Sequence, residues 1–171
     1  LDGTVVWIIN LPLLPHRFEI FDSHNHRETA RAIRDMIVRG APAIGATAAY
    51  GMVQVIQESS GAGSARGEYI EEGHQLLRAT RPTAQNLFYA LDRILAAIDG
   101  LPEARQAEAA RNEAQALADE DADDNHKIGQ YGASLIKDGM RVLTHCNAGW
   151  LACVDWGTAL SPMYVAHREG R

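Results

Sequence analysis

Apolar residues recur along the chain with two different periods, and these predict a short β-hairpin followed by a series of helices. Two brief runs of β-type residues, at 5–10 and 18–21, are separated by a segment containing LPLLP and predict a hairpin-like start. Further along, apolar positions recur every three or four residues, which is typical of amphipathic helices. The predicted helices span residues 26–38, 43–57, 68–79, 84–98 and 102–119.

The inner faces and ends of these helices follow from the same pattern. The positions expected to face the core are Ala30, Ile33, Ile37 and Val38 on the first helix and Leu87, Leu91 and Ile94 on the fourth. The helix over 43–57 is apolar on several sides, so it should be buried. Pro42 suits a first helical turn, where its missing N–H costs nothing. Thr83 is the predicted N-cap of the fourth helix.

The pattern changes after residue 119. The acidic run EDADDN at 120–125 predicts either a break or a new helix start, and residues 128–137 continue as helix. The sequence MRVLTHC at 140–146 has the character of a buried strand. A helical pattern follows over 151–168, and Ser161-Pro162 is expected to kink or restart that helix.

A βαβ unit has two parallel strands joined by a helix. One strand followed by one helix is therefore only half of such a unit. The predicted fold class is therefore α/β. A mainly helical domain occupies residues 1–125, and residues 126–171 form a connecting helix and the first strand and helix of a second, truncated domain.

Composition narrows the possible functions. The chain has 171 residues, is 46% hydrophobic and 22% charged, and carries a net charge of −6. This balance favours one or two small soluble domains and disfavours a broad nucleic-acid-binding surface. No segment approaches the roughly 20 apolar residues of a membrane helix, and we expect residues 1–15 not to be a signal peptide because they have neither a basic leader nor a cleavage-site pattern. The two cysteines form neither a disulfide framework nor a zinc pattern, so a reducing cytoplasm is expected.

Two arginines stand directly before predicted helix starts. Arg39, Gly40 and Ala41 precede the Pro42 helix, where free backbone N–H groups and the positive end of the helix dipole can hold an anion. Gly40 permits close approach of the backbone, and Arg39 adds a bidentate donor. Arg81 lies before Pro82, which keeps its backbone extended. A plain turn with a surface arginine and a plain capped helix fit the same two patterns.

The segment THCNAGWLAC at 144–153 holds the strongest candidate for chemistry. Cys146 falls at the predicted carboxyl end of a strand, where open α/β sheets bind ligands. A helix N-terminus just after it would lower the pKa of the thiol. Burial as a small apolar side chain is the commoner role of a free cysteine, and we assign that role to Cys153. His145 points to the opposite face of the strand.

Two further groups of polar residues suggest metals only weakly. Asp22, His24 and His26 include an H-x-H pair, but the sequence offers no further ligands nearby, so capping and surface roles fit better. Asp121, Asp123 and Asp124 lack the central glycine of a calcium loop. We therefore expect no metal and no cofactor.

Taken in order, MIVRGAPAIGATAAYG, RPTAQNLFYALDR and GASLIKDGMRVLTHCNAGWLA resemble the 5-methylthioribose-1-phosphate isomerase family. The matching runs cover most of residues 30–160. The wider family includes isomerases of ribose 1,5-bisphosphate and 5-deoxyribose 1-phosphate, and regulatory subunits of the translation-initiation exchange factor. The RGAPAIG and THCNAG segments favour the isomerases.

The resemblance implies a helical N-terminal domain joined to a Rossmann-like domain, with the active site between them, and a homodimer. It implies that Arg39, Gly40, Ala41 and Arg81 bind a sugar-phosphate substrate, and that Cys146 is the catalytic cysteine. The family's proton-donor aspartate and an Asn–Lys pair come later in its sequences than residue 171 here. We therefore expect a longer natural protein, with the isolated chain inactive.

The implied reaction converts 5-methylthioribose 1-phosphate to 5-methylthioribulose 1-phosphate in methionine salvage. The arginines and helix-start amides would fix the phosphate, and Cys146 would stabilise the transition state or shuttle a proton. A hydride shift and an enediol-type proton transfer both fit these residues. Alternatives are isomerisation of a related sugar 1-phosphate, a non-catalytic phosphometabolite-sensing subunit on the same fold, and a helical interaction domain.

Overall fold

Six α-helices and one two-stranded sheet account for the regular structure of residues 3–171, the part of the chain that the computed structural model describes. The strands are β1 (Val6–Ile9) and β2 (Ile20–Ser23). The helices are α1 (His26–Arg34), α2 (Ala41–Glu58), α3 (Arg66–Arg78), α4 (Gln85–Ile98), α5 (Glu103–Ala133) and α6 (Ser161–Arg168). Single 3₁₀ turns occur at Leu11–Leu13, Gly63–Ala65 and Trp150–Ala152.

The two strands form the predicted hairpin-like start. They pair antiparallel, with Val6 opposite Ser23 and Ile9 opposite Ile20. Val6 and Ile8 face the core, whereas Trp7 between them is exposed, as the period of two along a strand requires.

Helix α2 lies at the centre of the N-terminal part and packs against α1, α3, α4 and α5. Residues on all of its sides are buried, including Ala48, Met52, Val53 and Ile56. This confirms the prediction that a helix apolar on several sides is an interior helix. Within residues 3–171 no helix combines the length and the apolar character needed to cross a membrane.

Helix α1 ends four residues earlier than its apolar pattern predicts. It begins after Asn25, whose side-chain oxygen accepts the N–H groups of Arg27 and Glu28. After Arg34 the chain turns through Met36 with a φ of 58°, so the last residues of the predicted helix lie outside it. Ala30, Ile33 and Val38 are buried, and Ile37 is partly buried against the same core, because the turn folds 36–38 back onto it.

The predictions for α4 are half right. Its core stripe of Leu87, Leu91 and Ile94 is completely buried. Its N-cap, however, is Ala84, and no side chain caps the helix. Thr83 is therefore not the capping residue, because the chain enters the helix one residue later than the cap pattern implies.

The acidic run at 120–125 lies inside α5 and interrupts nothing. Most of its buried residues lie three or four positions apart, and they are Ala110, Ala114, Leu117, Ala118, Asn125, Gly129 and Ala133. That stripe packs on α2 and α4 in the first half and on α6 in the second. Tertiary packing on one face thus outweighs the helix-breaking tendency of the acidic residues on the other.

The predicted strand at 140–146 is absent, and this prediction was wrong for the structure. Residues 141–145 have no regular structure, and Leu143 is 96% exposed. A strand needs a partner for its backbone groups, and in residues 3–171 the two strands pair only with each other. The helix predicted from 151 begins at Ser161, with a proline in its first turn. The restart at Ser161-Pro162 is confirmed, but the earlier start is not, since Trp156 and Gly157 have positive φ.

Candidate functional site

The start of α2 is built as the anion-site hypothesis requires. Gly40 is its N-cap residue, with φ 104° and ψ 134°, and no side chain caps the helix. The Ile44 N–H donates to the Gly40 carbonyl at 2.9 Å and closes the first turn. The N–H groups of Ala41 and Ala43 therefore have no acceptor within the helix. Arg39 is exposed beside them and takes part in no ion pair found among residues 3–171.

Gly40 touches the segment that contains the candidate cysteine. A Cβ added at Gly40 would overlap the carbonyl oxygen and Cα of Ala152 and would lie 2.5 Å from its Cβ. Ala152 belongs to the 3₁₀ turn Trp150–Ala152, which follows the NAG sequence at 147–149. The RGAPAIG segment and the THCNAGWLAC segment therefore meet at a contact that only a glycine allows.

The segment around this contact is tightly folded on itself. Gly157 has a φ of 77°, and a Cβ there would lie 2.5 Å from the carbonyl carbon of Gly149. The Leu160 N–H and the Thr158 hydroxyl both donate to the Ala148 carbonyl, each at 3.4 Å. Residues 148–160 therefore form a closed loop that presents Ala152 to α2.

Asp121 on α5 holds this loop in place. Its carboxylate accepts the Val154 N–H at 2.8 Å. Burial is the main reason that the pKa of Asp121 is raised above its ordinary value of 3.8, and the Val154 hydrogen bond opposes that shift. The neighbouring Cys153 thiol is buried, and burial together with the charge of Asp121 raises its pKa to about 11. The sequence pattern placed Asp121 in a helix break or a new helix start and gave no sign of this contact between residues 33 positions apart.

Replacing Asp121 by alanine should therefore loosen the loop, at a cost of about 1 kcal/mol for the lost hydrogen bond. Asp121→Asn keeps an acceptor and should retain most of the stability.

A raised pKa means that the folded state binds the proton more tightly. The stability contributed by this group is therefore full at low pH, below 3.8, and is lost as pH rises through the folded pKa.

Urea unfolding between pH 3.5 and 7 measures both effects, with the exposed Asp123→Asn variant as control. Equal loss of stability in Asp121→Asn and Asp121→Ala would show that the acceptor contributes nothing.

The segment RPTAQNLFYALDR, which contains the start of α4, also lies against α2. A Cβ at Gly45, in the second turn of α2, would lie 3.0 Å from the Asn86 carbonyl oxygen and 3.2 Å from the Asn86 Cβ. Asn86 is the second residue of α4, so the beginnings of the two helices lie side by side. The Leu87 N–H donates to the Ala84 carbonyl at 3.0 Å, which leaves the amides of Gln85 and Asn86 without a helical acceptor.

Arg81 leads into this helix start and is partly buried. Its carbonyl accepts the Ala84 N–H at 3.1 Å, which fixes the turn. In the described part of the chain, its Nη1 atom is buried and lacks a hydrogen-bond partner. A buried guanidinium nitrogen without an acceptor destabilises the folded state. An anion that accepted its hydrogen bond would therefore be stabilising at this position.

Cys146 has a different environment from the one predicted. It is exposed and has a φ of 68°, and neither a strand before it nor an α-helix directly after it is formed. Among residues 3–171 no hydrogen bond joins its thiol to Arg39 or Arg81. The structure thus brings the first turns of α2 together with Ala152 and Asn86, and leaves the Cys146 side chain open to solvent just before the 148–160 loop.

His26, the second histidine of the H-x-H pair, has a structural role. His26 is buried, and its Nδ1 lies 2.6 Å from Oε2 of Glu58, whose Oε1 accepts the His26 N–H. The Tyr69 hydroxyl donates to the same carboxylate at 2.8 Å. His26 therefore ties α1 to the end of α2, a contact over 32 positions that the sequence pattern does not signal. No cluster of three metal-ligating side chains occurs in residues 3–171.

Comparison with known proteins agrees with these motifs. The model of the Initiation factor 2 subunit family matches residues 37–171. The methylthioribose-1-phosphate isomerase of Methylorubrum extorquens is 50% identical over 177 residues, covering 99% of this chain. The enzyme of the same name from Paramagnetospirillum magneticum is 45% identical.

Two solved structures share the fold. The 5-methylthioribose 1-phosphate isomerase of Pyrococcus horikoshii superposes with a TM-score of 0.91 at 39% identity over 99% of this chain. Subunit delta of translation initiation factor eIF-2B from A. fulgidus gives 0.86 at 40% identity over 98%.

The chain spans about half the length of these relatives, 47% of the Methylorubrum enzyme and 49% of the Pyrococcus structure. The similarity extends over nearly all of the residues here and includes the three motifs that meet at α2. The predicted α/β class with a helical N-terminal part agrees with these folds. The chain belongs to the Initiation factor 2 subunit family.

Proposed function

We propose that this protein is an aldose–ketose isomerase that converts 5-methylthioribose 1-phosphate to 5-methylthioribulose 1-phosphate in methionine salvage. The observation that carries the proposal is the meeting of three motifs at the start of α2, where Gly40 contacts Ala152 and Gly45 contacts Asn86. Relatives that are 43–50% identical bear the name of this enzyme, which supports the assignment.

The phosphate would bind at the two helix starts. The free amides of Ala41 and Ala43 and the dipole of α2 favour an anion, and the exposed Arg39 adds charge beside them. Arg81 brings a buried nitrogen that lacks an acceptor among residues 3–171. Fixing the phosphate in this way would orient the sugar, and such positioning lowers the barrier of the chemical step.

Cys146 would act at the reacting carbons. The substrate has phosphate on C1 and no free aldehyde, so its ring must open with phosphate retained before hydrogen moves from C2 to C1. The Cys146 thiol is exposed and lies two residues before the 148–160 loop that contacts Gly40, so it would be available to a sugar held there. It would stabilise the transition state or carry a proton between the carbons. Loss of C2 deuterium to solvent during turnover would exclude a hydride shift.

Several properties of the whole protein belong to the same proposal. In this proposal residues 1–125 are a helical domain and residues 126–171 begin a second, Rossmann-like domain. The complete protein would be a homodimer in the cytoplasm, where the two free cysteines stay reduced. Neither a cofactor nor a nucleic-acid partner is invoked.

A regulatory role is the second candidate, because the A. fulgidus protein titled translation initiation factor is 40% identical and has the same fold. A related isomerase specific for another C5 substituent is a third. Turnover separates them: a regulatory subunit would bind sugar phosphates or other ligands without converting them.

The direct test is formation of the ketose by the complete product of the gene. In that protein, Arg81→Ala should lower kcat/KM by about 10- to 100-fold, since a charged hydrogen bond to phosphate is lost. The matched control is Arg78→Ala, three residues earlier, whose guanidinium pairs with Asp92 at 3.4 Å on the surface. That variant should keep nearly full activity. Equal effects of the two changes would remove Arg81 from the site, and absence of any turnover would overturn the proposed enzyme.

A further inference from the structure

Trp156 is held by two side chains from different helices. Its ring stacks on that of His126 in α5, with the ring centroids 4.2 Å apart and the planes 17° from parallel. The guanidinium carbon of Arg168, in α6, lies 4.5 Å from the centroid of the Trp156 ring. The ring also packs against the small apolar cluster between α5 and α6. Stacked aromatic rings attract each other, and so do a guanidinium and an indole face, so these contacts hold the ring in one place.

The backbone at Trp156 has a conformation that a large side chain rarely adopts. Its φ is 64°, and the glycine that follows has a φ of 77°. A left-handed conformation at a non-glycine residue costs free energy and persists where surrounding contacts hold it. Glycine or asparagine would take this φ at a lower cost. The contacts of the ring, rather than the needs of the backbone, therefore account for a tryptophan at this position.

The turn that follows Trp156 packs against the residues just after Cys146. A Cβ added at Gly157 would lie 2.5 Å from the carbonyl carbon of Gly149, so the two backbones are in direct contact. Two donors from residues 158–160 form hydrogen bonds to the Ala148 carbonyl. Residue 148 is two positions after Cys146. A continuous set of contacts thus leads from the Trp156 ring to the backbone that carries the candidate catalytic thiol.

We propose that Trp156 is a positioning residue for the isomerase reaction. Its ring, held by His126 and Arg168, fixes the turn at 156–160 and thereby the place of Cys146 beside the substrate. The inference rests on the proposed function and deepens it, because it names a residue that controls the catalytic group without touching the sugar. Arg39 and Arg81 lie outside the 148–160 loop, so phosphate binding is expected to survive the loss of the ring.

Three substitutions of Trp156 in the complete gene product test the role of the ring. Trp156→Ala should lower kcat about 10-fold and leave KM for 5-methylthioribose 1-phosphate nearly unchanged, since a misplaced catalytic group slows the chemical step. Trp156→Phe keeps an aromatic ring and should recover most of kcat. Trp156→Gly relieves the backbone at φ 64° but has no ring, so it should be as slow as the alanine variant. Steady-state rates are measured at a temperature where circular dichroism shows every variant folded.

The stacking partner gives an independent test. His126→Phe preserves a stacked ring and His126→Ala removes it, so only the alanine variant should lose kcat. Lys127→Ala, at the next position of α5, is the matched control. The Lys127 ammonium pairs with Asp124 at 3.2 Å on the surface, and its loss should leave kcat unchanged.

A double variant distinguishes positioning from a general loss of active protein. If Trp156 acts through Cys146, Trp156→Ala should change the residual kcat of Cys146→Ala by less than about 2-fold. A merely structural residue would lower the rate by the same factor in both backgrounds. That result would overturn the inference and leave an isomerase in place, as would full activity in Trp156→Gly or a Trp156→Phe variant as slow as Trp156→Ala. If the unaltered protein does not convert the sugar, the proposed function fails, and the inference falls with it.

Discussion

Replacing Cys146 by alanine in the complete gene product is expected to lower kcat by about 10²- to 10⁴-fold and to change KM little. A group that acts on the reacting carbons contributes mainly in the transition state, and positioned acid–base groups contribute gains of this size. Substrate binding would rest on Arg39, Arg81 and the α2 amides, which the substitution leaves intact. Initial rates over a range of substrate concentrations separate the two parameters.

The second cysteine provides the control. Cys153 is buried and its pKa is raised to about 11, so its thiol stays protonated at neutral pH. Cys153→Ala should therefore keep kcat and lose only packing stability. Because Cys146 is exposed, its alanine variant should melt at the same temperature as the parent protein. An unchanged rate in Cys146→Ala would exclude the catalytic assignment, whatever Cys153→Ala does.

The helical part of the fold could be predicted because its signal is local. A residue such as Leu91 is four positions from Leu87 and three from Ile94, and a helix places all three on one side. The same holds for the central helix, whose apolar run leaves no polar face to expose. The hairpin followed from two short β-type runs near each other in sequence. The helix predictions need only neighbours three or four positions away, and the two strands are joined by a single short connection.

The failed predictions concern contacts with distant residues. Whether 140–146 forms a strand depends on a partner strand, which the segment's own apolar character cannot supply. The acidic run did not break α5 because residues such as Gly129 pack against α6, more than thirty positions later. Thr83 has the right side chain for a cap, but the path of the chain decided which residue enters the helix first.

Only part of the candidate site could be predicted from the sequence. Sequence alone was enough to propose Gly40 and Arg81 as site residues, because an arginine beside a helix start has a local chemical reason. It gave no indication that Gly40 meets Ala152 or that Asp121 holds the loop, since both contacts join distant segments.

The contact between Gly40 and Ala152 should make Gly40→Ala the most destabilising single-methyl change in this region. At φ 104° an L-residue is strained, which costs of order 1–3 kcal/mol. The added Cβ would also overlap Ala152, much of it backbone that cannot turn aside. We expect a total loss of about 3–4 kcal/mol in the free energy of unfolding, measured by urea titration. Binding of the sugar phosphate should weaken in parallel, because the α2 amides shift.

Gly61→Ala separates the two contributions. Gly61 has a φ of 83°, and a Cβ there would meet nothing within 4 Å, so this variant carries the backbone strain alone. A loss near 1 kcal/mol in Gly61→Ala and a much larger one in Gly40→Ala would assign the difference to the Ala152 contact. Similar losses would mean that the 148–160 loop yields easily. The third motif would then not be held rigidly against α2, and a site assembled from all three motifs would need another source of order.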